Sequence, residues 1–492
     1  MHFRTIRRRH TILIGTGLGT TQMRMMMVMV SLMKEVGAES DPLEQRVFPS
    51  TPPFPQGTDV VWIDDDAPAN PRLRNGTPET PYRSITEALR ALRDDEASNV
   101  ETLILNEGHY SVSRTGEIFP LDFRQLSGLD ARPLTLRSEQ GPANTTIDAE
   151  FTADAIILNR GVTIEGVSGV RGNRGIGVLK IGDTTIRDSW IMEHNQEGIV
   201  IGIANAEDDI EDAELDSTII RNTIARNGAE GLEVIAGSRA MLSENMILDN
   251  IGAGVEITND SYGLLRHNHI ERNGRNGVSV FFDSTAVLES NEIRDNRPNG
   301  VQLAPISHLE MTENIVEANA DVGIVIEGST AMLSHNQVLN NPSHGIDIWT
   351  EQANQDRRSF LNHNTLVGNN VGVIIREGTM AVLTANTSSN NYDTGVWLQN
   401  HAWAAINEGR ISDNAFGIYI QGESRAEIAL SGDVLTMSAN QHNGVKNEIT
   451  IVDESSLARL DSTRIIFDDP MDADNIRGRC EDVAPMSIYC NE

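Results

Sequence analysis

Cysteine is almost missing from this chain: the two present, Cys480 and Cys490, sit together at the very end. No disulfide framework can organise the fold, and in an exported protein one small bridge pinning the C-terminal tail is the most they can form. Aromatic residues make up 4 % of the sequence, which suits a narrow core filled by Ile, Val, Leu and Ala. Positive charge is scarce as well. Lys and Arg number 39 against 71 Asp and Glu, a net charge of −32. Such a surface repels nucleic acid, and polyanions generally unless cations mediate the contact. Beyond the N-terminal region no apolar run is long enough to span a bilayer. Residues 1–38 have the pattern of an export leader: Arg4, Arg7, Arg8 and Arg9 precede the apolar run Met25–Met33, and Val36-Gly37-Ala38 resembles a small-residue cleavage site. The expected location is secreted, periplasmic or cell-surface.

What the chain does have is a repeat. One asparagine column runs Asn222, Asn245, Asn268, Asn291, Asn314, Asn336, Asn364, Asn386, and a second runs Asn227, Asn250, Asn273, Asn296, Asn319, Asn341, Asn369, Asn391, Asn414. The step is 22 or 23 residues except across one insertion, where it is 28. A period of this length means one supersecondary unit per repeat, stacked because a single unit cannot bury its apolar face. Within each unit apolar residues alternate with period two, which specifies strands. Two residues after the first Asn come Ile224, Ile247, Ile270, Ile293, Val316, Val338 and Leu366. Three or four residues after the second Asn comes a Gly, as at Gly231, Gly254, Gly277 and Gly300, followed by inward pairs such as Val255 and Ile257. Three short strands per coil, bent at the two Asn columns and a third corner, give an all-β parallel β-helix with rungs roughly 4.8 Å apart. An amide has both donor and acceptor, so identical Asn side chains can bond up and down the stack.

In chain order, a Pro-rich linker (39–57) precedes an N-terminal cap with irregular first coils (58–150), regular repeats (151–433), and closing coils with a C-terminal tail (434–492). Ser84-Ile85-Thr86-Glu87 reads as a capping box, and Ile85, Ala88, Leu89 and Leu92 share one helical face. Such a helix would cover the exposed apolar end of the stack. The string TPYRSITEALRAL followed by TLILNEGHY and TTIDA, with the N-x-I-x-x-N-x-x-x-G units downstream, resembles the right-handed parallel β-helix proteins of the pectin-lyase-like superfamily, with carbohydrate-binding and sugar-hydrolase type repeats. The resemblance covers roughly residues 59 to 440. It implies a right-handed solenoid with an N-terminal capping helix, and lyase, hydrolase, epimerase or non-catalytic roles.

The resemblance also places a substrate groove along one exterior sheet, at the strand after the recurring Gly. Its outward positions bring together Glu327, Asp347, Trp349, Arg376, Trp397 and Tyr419 on consecutive coils. The 28-residue step adds residues in Thr350–Phe360, so Glu351, Arg357 and Arg358 are expected in a loop beside the groove, with His344 in the preceding turn. Singly, each of these is ordinary solvated surface; their grouping beside the insertion makes them a candidate polysaccharide site. As catalytic candidates stand Asp347, Glu327, Arg376, His344 and Glu351, and as substrate-binding candidates Trp349, Trp397, Tyr419, Arg357 and Arg358. Hydrolysis needs an acid and a base or nucleophile, which Glu327 with Asp347 or Glu351 would supply. Elimination on a uronic-acid polymer needs charge neutralisation and a base, with Ca2+ as helper and Arg376, Arg357, Arg358 or His344 as candidates. His344-Gly345-Ile346-Asp347-Ile348 partly resembles the His-Gly element of polygalacturonase-type hydrolases, without an accompanying Asn-Thr-Asp motif. Glu233 over Glu256 forms a second pair, where like charge requires a proton or a cation between them. The alternative is a non-catalytic surface or adhesion scaffold. On either reading the chain is expected to be a monomer.

Overall fold

The computed structural model describes residue 55 and residues 57–482, apart from 95–98, 127–132, 160, 180–182, 204–216, 352–356, 443–444, 447, 454, 461–463, 468–475 and 478–479. The leader, most of the linker, the acidic insertion 205–216, the four-Asp segment 468–474 and Cys490 lie outside the described residues.

Each coil contributes one strand to each of three large parallel sheets, of 17, 15 and 15 strands. In one coil these are Tyr262–Arg266 (sheet 1), His269–Glu271 (sheet 2) and Val278–Val280 (sheet 3). The next coil pairs in register, Leu264 with Val287, Ile270 with Ile293 and Ser279 with Gln302. The apolar columns turn inward as the alternation requires: Ile224, Ile247, Ile270, Ile293, Val316, Val338 and Leu366 are wholly buried in one continuous core. Each such side chain contributes about 1.5–3 kcal/mol relative to exposure. Parallel coils persist beyond residue 434, through Leu457–Leu460 to Cys480–Asp482.

The bends are left-handed. The residue before each ladder Asn has φ near +55°, as at Glu244, His267 and Ser290 before the first column and Asp249, Arg272 and Asp295 before the second. That conformation is unfavourable for L-residues by roughly 1–2 kcal/mol, and the asparagine network offsets it. Asn245 Oδ1 accepts from Asn222 N (3.0 Å) and Nδ2 (3.1 Å), while Asn245 Nδ2 donates to Ile219 O (2.8 Å) and Asn268 Oδ1 (2.9 Å). The same four bonds recur along both columns. At the N-terminal end of the second column the position falls to His194, whose N donates to Asn227 Oδ1 at 3.2 Å. His194 Nδ1 accepts from Gly172 N (2.9 Å), its Nε2 lies 3.1 Å from Gly169 O, and burial pushes its imidazole down to about 4. Serine forms a further ladder at the third corner, with Ser261 N donating to Ser284 Oγ (3.1 Å) and Ser307 N to Ser329 Oγ (3.2 Å).

Helix α1 (Ile85–Asp94) starts at Ser84, whose Oγ accepts from Glu87 N at 3.1 Å. Its first turn is also held by Glu117, which accepts from Ile85 N (2.7 Å), Thr86 N (2.9 Å) and Thr86 Oγ1 (2.6 Å). A carboxyl at a helix N-terminus meets unpaired N–H groups, yet burial still pushes Glu117 up to about 7. Ile85, Ala88 and Leu89 join the core of the first coils.

Candidate functional site

Sheet 3 carries three outward columns, because the residue before each recurring Gly also faces out. Following the second-column Asn corner the columns run side by side: Glu230, Glu233 and Ile235 on one coil, His344, Asp347 and Trp349 five coils later. Register fixes the rest, Glu233 against Glu256, Glu327 against Trp349, Asp347 against Ile374 and Trp397 against Tyr419.

Asp347 is flanked by the core residues Ile346 and Ile348 and is itself only 5 % exposed. It is covered from the outside by Arg376, whose Nε and Nη2 donate to its two oxygens at 3.0 and 2.8 Å. The guanidinium carbon stands 5.1 Å from the Trp349 ring centre. Carboxylate, guanidinium and indole therefore form one packed group, and the Asp347 bond holds Arg376 above its ordinary range. Two coils on, Trp397 and Tyr419 meet edge-on at 5.8 Å, with Phe416 at 5.1 Å from Tyr419. His344 is half-buried; desolvation pushes it down against the raising effect of Asp347. Its Nδ1 and Trp397 Nε1 are enclosed polar atoms without a hydrogen-bond partner among the described residues. Glu327 is raised by burial and then by the charge of Glu351.

The insertion divides its residues. Arg357 donates to the main-chain oxygen of Gly328, beside Glu327. Arg358 instead opens the sheet 1 strand Arg358–Asn362 and lies 5.3 Å over the Trp403 ring, so it is not gathered with the sheet 3 group.

At the other end of the face, Glu233 and Glu256 are neighbours joined by Glu197 and Glu230 from the column before the glycines. Burial, then the neighbouring carboxylates, push Glu233 up to about 8, and burial and Glu230 push Glu256 to about 7. Like charges in a half-buried patch retain a proton. Among the described residues no three His, Cys, Asp or Glu side chains are grouped to hold a metal ion. Between the two ends lies an uncharged stretch in which Asn276 Nδ2 donates to Ser279 Oγ (3.1 Å) and Gln302 Oε1 (2.8 Å). Glu197, Glu230, Asn276 and Phe416 were not among the sequence candidates; the available signal was their fixed place one residue before the Gly.

These features define a parallel β-helix, a solenoid of stacked three-strand coils. Residues 209–361 match a family model described as the right handed beta helix region, residues 353–430 one described as periplasmic copper-binding protein (NosD), and residues 72–261 one described as a protein of unknown function. No curated protein matches the chain. Among solved structures it is similar to pectate lyase Pel9A, at 14 % identity over 83 % of this chain and 80 % of that one, TM-score 0.34. It is also similar to the A-module of the Azotobacter vinelandii mannuronan C-5 epimerase AlgE6 (12 %, 82 % and 96 %, TM-score 0.33). A third likeness is to the catalytic unit of an α-1,3-glucanase from Streptomyces thermodiastaticus strain HF3-3 (12 %, 83 % and 70 %, TM-score 0.45). Among the described residues no helix is long and apolar enough to cross a membrane.

Proposed function

We propose that this is an exported, monomeric β-helix protein that binds a polysaccharide lengthwise on the outer face of sheet 3, with helix α1 covering the N-terminal end of the stack. The observation that carries the reading is the alignment of Trp349, Arg376, Trp397, Tyr419 and Phe416 on successive coils of one face. Rings on the first, third and fourth of four successive coils about 4.8 Å apart, with Arg376 on the second, offer apolar platforms to the faces of sugars, and the intervening polar groups fix hydroxyls. Turnover, where it occurs, falls to the group at the insertion. Glu327 keeps its proton to higher pH and suits the acid role, with Glu351 as base. Asp347 and Arg376 act as a pair that shapes the platform, and His344 and Arg357 border it.

The test is a polysaccharide screen with and without Ca2+, following absorbance from unsaturated ends, reducing sugar and direct binding. Asp347→Ala and Arg376→Ala are each expected to lower the measured activity or affinity roughly tenfold or more, because each leaves the other's charge without its partner. Unchanged values in both variants would remove this site.

A further inference from the structure

We propose that the polymer taken by the sheet 3 face is uncharged, a neutral glycan in place of a uronic-acid chain. The proposal rests on the polysaccharide reading above and concerns only the chemistry of the ligand.

Two arginines on the face itself, Arg174 and Arg376, are already matched to carboxylates, while Arg357 at its border donates to the main-chain oxygen of Gly328. Arg174 donates to Asp154 Oδ2 through Nε (3.1 Å) and Nη2 (2.7 Å), and Arg376 makes its two-point contact with Asp347. A guanidinium engaged in a two-point contact has spent the fork that would recognise a uronate carboxylate, and its charge is cancelled locally. Arg275, at the edge, stands 3.9 Å from Glu230. Against these stand the acidic side chains Glu197, Glu230 and Glu327, so a polyanion laid along the coils meets like charge at both ends of the face. Glu233 and Glu256, pushed up to about 8 and about 7, retain a proton near neutrality. A protonated carboxyl instead donates a hydrogen bond to a hydroxyl, as Asn276, Ser279 and Gln302 on the next coils also can. Protonated acid, amide, hydroxyl and ring make a face suited to hydroxyl groups.

The full chain is titrated by calorimetry at pH 7 with soluble α-1,3-glucan and β-glucan oligomers, polygalacturonate and alginate. Binding to at least one glucan is expected, at least roughly tenfold tighter than to either uronate polymer, and nearly independent of salt. Tighter binding of a uronate polymer, or affinity that collapses as salt is raised, overturns the proposal while leaving the polysaccharide reading intact. No binding to any of the probes overturns both. Asp347→Asn gives an independent arm: with Arg376 released, affinity for polygalacturonate should rise roughly tenfold, with folding checked by circular dichroism. No gain in a folded variant counts against the proposal.

Discussion

The asparagine amide is the residue on which each bend depends. In Asn291, Oδ1 accepts from Asn268 N (2.9 Å) and Nδ2 (3.0 Å), and Nδ2 donates to Leu265 O (2.9 Å) and Asn314 Oδ1 (2.9 Å). Asn291→Ala strands these partners inside the stack, and the expected loss is about 1 to 3 kcal/mol, read from the midpoint of denaturant unfolding. A midpoint equal to the parent's would mean that the ladder contributes nothing net. His194 extends the same logic. His194→Asn, which keeps both a donor and an acceptor, should be much less destabilising than His194→Ala, and the difference is measured in the same melt.

Among the elements, the sheet 3 strand depends on its leading glycine for close approach of neighbouring coils. A Cβ on Gly254 would lie 2.5 Å from Ile270 Cγ2, 2.7 Å from Gly277 O and 2.9 Å from Asn273 Nδ2. Gly254→Ala is therefore expected to be destabilising by about 1 to 3 kcal/mol, against little effect at Gly169, where the nearest atom to an added Cβ is Ile191 Cδ1 at 3.7 Å. Comparing the two melting temperatures checks this. Both columns could be read in the sequence because each coil repeats the same demand at the same spacing. Other features left weaker traces. The serine corner was missed because Ser238, Ser261, Ser284, Ser307 and Ser329 sit in a turn where serine is common anyway. The column before the glycines varies from Glu197 to Phe416 and so has no compositional signature. Asp347 and Arg376 belong to different columns, so their diagonal pairing, and with it the burial of Asp347, depends on side-chain reach that spacing does not specify. Arg358 was expected in the loop because an insertion hides where the next strand resumes.

Across the whole molecule, acidity couples to stability. Glu117, Glu233 and Glu256 have folded values of about 7, about 8 and about 7, above the roughly 4.3 of an unfolded glutamate. The folded state binds more protons, so this contribution is full below about pH 4.3 and is lost as pH rises through about 7 to 8. His194, held at about 4, acts oppositely: its contribution is full above about 6.5 and is lost as pH falls through about 4. Thermal unfolding should therefore be highest at mildly acidic pH and decline toward pH 8, and Glu233→Gln should flatten that decline. A melting temperature that climbs from pH 6 to 8 would contradict it.

Because like residues stand in line on a rigid stack, one face can hold a polymer while the others do not. The direct test is glycan affinity in the Trp349→Ala/Trp397→Ala double variant beside Tyr262→Ala, whose ring lies on sheet 1 under Arg239 at 4.5 Å. Loss of roughly tenfold or more in the double variant, with Tyr262→Ala binding as the parent does, is the predicted result. Equal affinity in all three proteins, or a loss confined to Tyr262→Ala, would contradict it.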